Sequence, residues 1–587
     1  MKFLLVGINA KYIHSNPAIY SLKAYAGEEL GQYVELVEYT INQQPEEILA
    51  DIYRRKPEVI GFSCYIWNWD IVGKLLDDLP KLLPDTEIWL GGPEVSYDAD
   101  RILKRYPALT GIMVGEGEAT FRELLEYYVN REKRNSEEVF KDSTALECIS
   151  GLCLRTGYTA SRTLIDMSTL PFLYDDLTPF ENRILYYETS RGCPYRCSYC
   201  LSSIDKTVRL RDIDVVKREL QLFLDSRVKQ VKFIDRTFNC NHEHAMAIWQ
   251  YIYEHDNGVT NFHFEISADI LREDEIALLN RFRPGLAQLE IGVQTVNPVT
   301  LKTINRVMDV GRLEKIVDAI QRGKNVHQHL DLIAGLPYED YNSFSESFNR
   351  VYRMKPEQLQ LGFLKVLKGS EMCEKAEEYE ICYTENPPYE VLYTKWLSYQ
   401  EVRKLKQIEE MVELYYNSGQ FTRTLPVLEK AFKSPFVMYE RLAEFYEKHR
   451  FFVNSPARAY RYHVLLEFAE EYDSNQLPVY RELLTYDMYL REKVKSRPDF
   501  AVDINGYREE INNFYRKEEK ERRYLPDYEG FDWKQLSRVT HMEPFQRILS
   551  GYVLFDYSSR NPLNHEAAVQ VIQLPQNEKV NAAVTAE

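Results

Sequence analysis

The chain has 587 residues, of which 44% are hydrophobic, and its formal net charge at pH 7 is -17. At about 150 residues per domain, this length predicts three or four domains, each with enough apolar residues for its own core. The negative charge argues against a nucleic-acid-binding surface, because phosphate binding requires clustered Lys and Arg. No run of about 18 apolar residues occurs, so the sequence predicts no membrane span.

Residues 1–135 alternate short apolar segments with stretches of helical periodicity. This alternation predicts a doubly wound, Rossmann-like α/β domain, with a parallel sheet and a ligand crevice at the carboxyl edge of its strands. The predicted strands are residues 2–6, 34–39, 59–63, 87–90 and 112–114.

The turns that follow these strands are rich in glycine and small polar residues. Glycine permits a positive φ and lets a ligand approach the backbone closely. Each turn taken alone is better explained as a tight connection between a strand and a helix. The residues at these turns are Asn9, Ser63, Gly91, Gly92, Gly115 and Glu116.

Residues 136–184 are predicted to connect this domain to the next. The charged run at residues 131–138 is typical of a solvated helix end. Residues 149–158 predict a hairpin with Gly157 as its turn, and Pro171 and Pro179 argue against a helix in the rest of the connector.

Residues 185–370 return to alternating strands and helices, with one candidate strand every 25 to 40 residues. This spacing predicts a partial parallel (β/α)6 barrel, whose chemistry belongs at the carboxyl ends of the strands. The predicted strands are residues 185–189, 230–234, 262–266, 286–292, 328–334 and 358–366.

Three cysteines follow the first strand of this predicted barrel with the spacing CxxxCxxC: Cys193, Cys197 and Cys200. Three thiolates on one loop can ligate three irons of a [4Fe-4S] cluster and leave the fourth iron open. A structural zinc site usually needs four ligands from two pairs, and no second pair follows at the usual spacing. Cys148 and Cys153 are the nearest approach to a pair, and each is explained as a small apolar residue.

The cysteine count also bears on the compartment. Only nine cysteines occur in this long chain, and it has no charged-then-apolar secretory leader. A disulfide framework is therefore not expected, and the sequence predicts a cytoplasmic protein whose thiols stay reduced.

Residues 375–587 carry no motif that we can connect to chemistry. Their apolar periodicity predicts a mostly helical domain, which ends in a strand at 551–556 paired with residues 567–574 and a frayed terminus. The 43 tyrosines of the chain, many of them here, are explained by core packing. The predicted helices are residues 395–418, 434–450, 480–495 and 506–521.

The N-terminal turns resemble those of the cobalamin-binding fold, in which the nucleotide tail threads between a Ser and a Gly-Gly turn. Here Ser63 precedes Gly91 and Gly92 with 27 residues between. Family members that ligate cobalt through histidine carry DxHxxG, whereas this chain has Asn9 to His14 in the corresponding loop, out of register. The resemblance therefore implies cobalamin binding without a protein imidazole, with His14 packing or hydrogen bonding. It implies contacts to cobalamin from Asn9, Ser63, Gly91, Gly92, Gly115 and Glu116.

With the cysteine loop and the barrel, residues 1–370 resemble the radical S-adenosylmethionine (SAM) enzymes that carry an N-terminal cobalamin-binding domain. The resemblance implies that Cys193, Cys197 and Cys200 hold the cluster, and that SAM chelates the fourth iron and is cleaved reductively to a 5'-deoxyadenosyl radical. It further implies roles for residues that could instead simply satisfy hydrogen bonds at the barrel end. These are Tyr199 against the adenine, Asp235 on the methionyl amine, Glu265 and Ser267 on the ribose or methionyl carboxylate, Gln294 near the cofactor, and Gly335 in the turn passing the adenine.

His327 and His329 alternate on one predicted strand and therefore share a face. They are explained either as proton carriers lining a substrate cavity or as packing residues. We do not predict a catalytic role for them.

The leading hypothesis is an enzyme that uses a [4Fe-4S] cluster, SAM and cobalamin to methylate an unactivated carbon of a small-molecule or peptide substrate. The resemblance implies reduced flavodoxin or ferredoxin as the electron donor. Three alternatives remain. They are radical cyclisation or rearrangement without net methyl transfer, an N-terminal domain that no longer binds cobalamin, and a non-catalytic iron–sulfur redox sensor. Methylthiolation of tRNA is disfavoured, because such enzymes are expected to carry further cluster cysteines near the N-terminus and a basic C-terminal RNA-binding barrel. Here Cys64 is the only cysteine in the first 140 residues, and the chain is acidic.

Overall fold

The computed structural model describes residues 1–133 and 143–573. Its chain forms two compact units, one comprising Met1–Phe344 with Gly362–Val402 and the other Ser345–Leu361 with the chain from Arg403 onward. Within the described ranges, every helix is too short or too polar to cross a bilayer.

The first sheet confirms the predicted doubly wound domain. Its strand order is β2-β1-β3-β4-β5 and all five strands are parallel. The order reverses between β1 and β3, where such sheets bind ligands. Separate apolar clusters cover the two faces of the sheet. The elements are β1 (Phe3–Asn9), α1 (Pro17–Gly31), β2 (Val34–Thr40), α2 (Pro45–Arg55), β3 (Val59–Ser63), α3 (Trp69–Leu82), β4 (Glu87–Gly91), α4 (Pro93–Ser96), α5 (Ala99–Arg105), β5 (Leu109–Met113), α6 (Glu118–Lys133) and α7 (Ser143–Glu147).

A hairpin of β6 (Leu152–Leu154) and β7 (Gly157–Tyr158) extends this sheet by antiparallel pairing of β6 with β5. The predicted hairpin is thus confirmed, although Gly157 begins the second strand instead of forming the turn. Cys153 is buried in the core while Cys148 is exposed. Residues 134–138 of the predicted charged helix end lie outside the described residues.

The second sheet confirms the predicted six-stranded partial barrel, with the order β15-β14-β13-β12-β11-β8. Several of its helices begin with an Asp or Asn side chain that accepts a hydrogen bond from the first turn, as efficient N-caps do. The elements are β8 (Leu185–Tyr187), β9 (Ser190–Arg191), β10 (Arg209–Leu210), α8 (Ile213–Asp225), β11 (Gln230–Phe233), α9 (His242–Glu254), β12 (Asn261–Ile266), α10 (Glu273–Leu279), β13 (Ala287–Gln294), α11 (Pro298–Thr303), α12 (Val310–Gln321), β14 (His327–Ala334), α13 (Tyr341–Tyr352), β15 (Gln358–Phe363), α14 (Glu371–Glu374), β16 (Cys382–Tyr383) and β17 (Val391–Tyr393).

The C-terminal part is mostly helical, as predicted, and ends in a three-stranded antiparallel sheet. The sequence did not predict its first strand, which contains Pro544, a residue that the inside of a sheet tolerates poorly. The predicted pairing of residues 551–556 with 567–574 is confirmed up to Ile572, whereas residues 574–587 lie outside the described part of the chain. The elements are α15 (Tyr399–Met411), α16 (Leu425–Leu428), α17 (Pro435–Lys448), α18 (Arg461–Asp473), α19 (Leu477–Arg491), α20 (Arg508–Glu521), α21 (Trp533–Val539), β18 (Thr540–Phe545), β19 (Gly551–Arg560) and β20 (Ala567–Ile572).

Candidate active site

The cysteine loop leaves β9 and returns through β10, and these two short strands pair antiparallel across its base. Gly192 has φ +91°, and a Cβ there would lie 1.9 Å from the carbonyl oxygen of Thr207. The amide of Cys193 donates to the carbonyl of Asp205 at 3.3 Å. The loop is therefore closed tightly at the residue that precedes the first cysteine.

The three thiols of the loop differ in their surroundings. Cys193 and Cys197 are buried, and Cys200 is half-buried. The Sγ of Cys193 lies 3.5 Å from Thr237 Oγ1, and the Sγ of Cys197 accepts a hydrogen bond from Arg306 Nη1 at 3.8 Å. Burial raises the pKa of the Cys197 thiol, which the Arg306 charge opposes.

The thiol geometry fits a cluster better than a single ion. Zinc–sulfur bonds of about 2.3 Å in a tetrahedral site would bring the sulfurs within about 4 Å of one another. In the described residues, one set of three His, Cys, Asp or Glu ligand atoms lies within 4.8 Å, and it contains no cysteine. Three separated, mostly buried thiols on one loop are the donor set of a [4Fe-4S] cluster with one open iron.

Arg306 is a site residue that the sequence did not identify. Its guanidinium donates to the Gly292 carbonyl and, through Nη1, to the hydroxyl of Tyr199 at 3.4 Å as well as to Cys197. It follows α11 and comes close to the cysteines only through the tertiary fold. No spacing pattern in the sequence marks it.

Five of the six SAM-binding residues predicted from the resemblance lie at the carboxyl ends of β11, β12, β13 and β14, and the sixth, Tyr199, lies in the cysteine loop. Ser267 donates to Asp269 at 2.8 Å, and its amide donates to Asn239 at 2.9 Å. Gln294, with φ +70°, folds back over Gly292. Gly335, with φ +92°, packs against Val391.

Asp235 and Glu265, two further predicted SAM residues, have contrasting environments. Asp235 is 1% exposed and accepts hydrogen bonds from the amide and hydroxyl of Thr189, at 3.0 and 2.6 Å, and from Ser190 at 2.5 Å. Glu265 faces the barrel interior, where burial and the Glu290 charge raise its pKa to about 7. Contact of Asp235 with the methionyl amine stays a prediction, because its carboxylate accepts hydrogen bonds from Thr189 and Ser190 in this structure.

A cavity of about 940 Å³ lies at the carboxyl edge of the first sheet, at the upper end of the usual size of ligand sites. Five of the six predicted cobalamin residues line it, together with residues of the barrel that include Glu188, Arg191 and Arg236. The five are Ser63, Gly91, Gly92, Gly115 and Glu116.

Two glycines of this cavity, Gly92 and Gly115, are required for different physical reasons. Gly92 has φ +109°, and a Cβ there would come within 2.5 Å of the Cys64 carbonyl, so its glycine serves close backbone packing. Gly115 has φ +84°, and a Cβ there would meet nothing within 4 Å. The open space beside Gly115 is the part of the cradle that a bulky ligand would fill, so these residues fit cobalamin.

Asn9, the sixth predicted residue, does not line the cavity. Its amide donates to the His14 carbonyl at 3.1 Å and to Glu38 at 2.8 Å, so it holds the first loop in shape. His14 Nδ1 hydrogen-bonds the Tyr186 hydroxyl at 2.5 Å, as the expectation of a hydrogen-bonding role requires. Among the described residues, no histidine lines this cavity.

Half-buried ion pairs join the first sheet to the cysteine loop. Arg191, two residues before Cys193, pairs with Glu118 at 2.5 Å, Glu188 at 2.9 Å and Glu116 at 3.4 Å. Burial would raise the pKa of Glu118, but the Arg191 guanidinium more than offsets it and lowers that pKa. Glu116 therefore contacts the arginine before the cluster loop while lining the cavity.

Three family models match consecutive parts of the chain. The B12 binding domain matches residues 4–125, the Radical SAM superfamily matches residues 187–351, and a family described as a protein of unknown function (DUF4080) matches residues 377–561. The chain thus combines a B12 binding domain with a radical SAM domain.

Known proteins share this arrangement. The cobalamin-dependent radical SAM methyltransferase TokK of Streptomyces tokunonensis is 25% identical over 57% of this chain and 52% of its own length, so the chain spans about half of that relative. The structure of the cobalamin-dependent SAM radical enzyme OxsB with aqua-cobalamin has a TM-score of 0.56 at 14% identity, over 83% of this chain and 79% of that one. The structure of the radical SAM methyltransferase TsrM from Kitasatospora setae, with cobalamin and a [4Fe-4S] cluster bound, has a TM-score of 0.52 at 16% identity, over 64% and 78%.

Proposed function

We propose that this chain, which carries the B12 binding and radical SAM domains, is a cobalamin-dependent radical SAM enzyme that methylates an unactivated carbon. The observation that carries the proposal is the shared cavity. This space is lined by Gly91, Gly92 and Gly115 at the edge of the first sheet and by Arg191 and Gly192, where the chain enters the cysteine loop. A methyl carrier in this cavity would lie beside the loop that holds the cluster.

The residues have distinct tasks in this proposal. Cys193, Cys197 and Cys200 hold the cluster, while Arg306 donates to Cys197 and orders the neighbouring backbone. SAM, cluster and cobalamin together supply the radical and methyl chemistry, and the protein contributes position and exclusion of water. We assign SAM contacts to Tyr199, Asp235, Glu265, Ser267, Gln294 and Gly335, and cobalamin contacts to Ser63, Gly91, Gly92, Gly115 and Glu116.

Radical SAM enzymes require an external electron donor, and we propose reduced flavodoxin or ferredoxin for this role. A donor of this kind and nine free thiols both favour the reducing cytoplasm as the compartment. The substrate is a small molecule or peptide.

The test is anaerobic reconstitution with iron, sulfide and hydroxocobalamin, followed by analysis of bound metals and of SAM products. We expect about four irons and one cobalt per chain, 5'-deoxyadenosine under reducing conditions, and S-adenosylhomocysteine only when cobalamin is loaded. A four-iron cluster without cobalt would contradict methyl transfer. So would a yield of 5'-deoxyadenosine that is the same with and without cobalamin, if no S-adenosylhomocysteine forms.

A further inference from the structure

The inner face of the barrel sheet is polar. The apolar residues of the strands face outward against the helices, as shown by Tyr187 packing on Phe223 at 5.5 Å and Phe264 on Trp249 at 6.0 Å between ring centroids. The alternate residues therefore face the interior. Parallel barrels usually fill that interior with Val, Ile and Leu. Here it carries titratable side chains instead, and we name this polar inner face the chamber.

The registers of the strands arrange these side chains in rows. Lys232 is in register with Tyr186 on one side and His263 on the other. Gln288 and His327 continue the row on the next two strands. These five residues, which we name the deep row, contain no carboxylate.

The acidic side chains lie one step nearer the carboxyl ends of the strands. Glu265, Glu290 and His329 form that second row, and Asp331 follows two residues after His329. His329 Nε2 lies 3.1 Å from Asp331 Oδ1, so these two groups pair with each other. The chamber therefore has a donor-rich base and an acidic upper layer.

One carboxylate only partly satisfies the donors of the deep row. Lys232 Nζ and His263 Nε2 both lie 3.0 Å from Glu290 Oε2, while the next acidic oxygen, of Glu265, lies 3.9 Å from Lys232. Lys232 carries three N–H groups, so it keeps donors for a ligand. His327 Nε2 is buried and has no hydrogen-bond partner among the described residues. A buried unsatisfied group of this kind costs free energy that a ligand would recover.

A metal ion does not explain the chamber. The one group of His, Cys, Asp or Glu ligand atoms within 4.8 Å in residues 1–133 and 143–573 is His242 with Asp274 and Glu275, outside this face. In the described residues, no three metal-ligand atoms of this inner face lie that close together, whereas the ligands of a metal ion must meet at one point.

The deep row also lies at a suitable distance from the radical chemistry. Gln288 precedes Gly292 by four residues, which is about 13 Å along the strand. The Gly292 carbonyl accepts from Arg306, which also contacts Cys197. A substrate anchored at the base would thus extend toward the cluster side, with room for SAM above it.

We propose that the deep row anchors an anionic group, a carboxylate or a phosphate, of a small polar substrate, with Lys232 supplying the charge and His263 and His327 donating hydrogen bonds. The proposal rests on the proposed function, because it requires a substrate inside the barrel. It selects a charged, compact substrate over an apolar one.

The ligand-free chain gives the proposal a measurable consequence. Burial lowers the pKa of His263, and burial beside His329 and His263 lowers that of His327 to about 4. Both imidazoles are therefore neutral at pH 7, and a bound anion would raise their pKa values. Anion binding should take up protons from solution.

The test uses the full chain without cobalamin or SAM, labelled with 13C-histidine, and inorganic phosphate or acetate as the probe. Among the eleven histidines, we expect the imidazoles of His263 and His327 to shift saturably toward the protonated position. In Lys232→Met the dissociation constant should rise about tenfold or more, whereas Lys229→Met, at an exposed neighbouring position, should bind as the wild type does. A response to phosphate alone would assign a phosphate-bearing substrate, and a response to acetate a carboxylate.

The proposal is overturned if neither anion shifts these imidazoles saturably, or if Lys232→Met responds as the wild type does. If Lys232→Met does not fold, His327→Asn replaces it and should remove the His327 signal and weaken anion binding. This experiment contains no cobalamin or SAM, so its outcome does not depend on whether the chain binds cobalamin. Conversely, a failure to bind anions would contradict only the anion site and not the assignment of the cofactors.

Discussion

Replacing Gly115 by leucine separates the role of the cavity in binding cobalamin from its role in folding. Gly115 and Gly258 have φ +84° and +75°, and a Cβ at either position would meet nothing within 4 Å. A side chain at positive φ costs roughly 1–2 kcal/mol. We therefore expect Gly115→Leu and Gly258→Leu to lower the melting temperature by similar amounts, whereas only Gly115 lines the cavity.

The difference between the two variants should appear in cobalamin binding. A leucine that intrudes on a fitted ligand costs roughly 1–3 kcal/mol, which weakens binding about 5-fold to 150-fold. Equilibrium dialysis against hydroxocobalamin, read by visible absorbance, measures this directly, and iron content reports the cluster. Wild-type cobalamin affinity in Gly115→Leu would refute the cavity as the cobalamin site, as would equal loss of cobalamin in Gly258→Leu.

Three further predictions test the cluster loop and the barrel interior. Cys197→Ala should abolish the four-iron cluster, and a full cluster spectrum in this variant would remove the ligand assignment. Gly192→Ala should also lose iron, because its Cβ would lie 1.9 Å from the Thr207 carbonyl, whereas retention of wild-type iron would show that the loop tolerates opening. Burial raises the pKa of Glu290, but the hydrogen bond from His263 and the Lys232 charge outweigh it and lower the pKa to about 2. The stabilisation of the fold by the ionised Glu290 is present above the unfolded pKa and is lost as the pH falls toward 2. The difference in melting temperature between wild type and Glu290→Gln should therefore shrink from pH 6 to pH 3. A constant difference would exclude the ion pair as its cause.

The elements that the sequence predicted best are those fixed by local patterns. The strands of the first sheet are short apolar runs, and those of the barrel alternate apolar with polar residues; both patterns are local, so these strands were found within a few residues. The cysteine spacing and the Gly91–Gly92 turn are likewise local signals. β18 was missed because Pro544 is unusual in a strand, and its pairing with β19 depends on residues beyond the strand itself.

The residues that the sequence missed are brought together by contacts distant in the chain. Arg306 reaches Cys197 across 109 positions, and Arg191 reaches Glu118 across 73. The deep row depends on the register of four strand pairs. His327 and His329 were recognised as sharing a face, but the register places them in different rows, one with Gln288 and one with Glu290.

Neighbouring polar residues at one strand end show why residue type alone does not assign a function. Asp235 and Arg236 lie just after β11, and the pattern predicted a cofactor contact from Asp235 and left the role of Arg236 undetermined. In the structure Asp235 is 1% exposed and ties the ends of two strands together, whereas Arg236 is exposed and lines the cavity. The backbone turn sends the two side chains in different directions, so the buried carboxylate fixes the strand that leads to the cysteine loop and the arginine is the group that a ligand would meet. Asp235 therefore supports the cysteine loop indirectly. Its hydrogen bonds to Thr189 and Ser190 hold in place the strand that precedes the three cysteines.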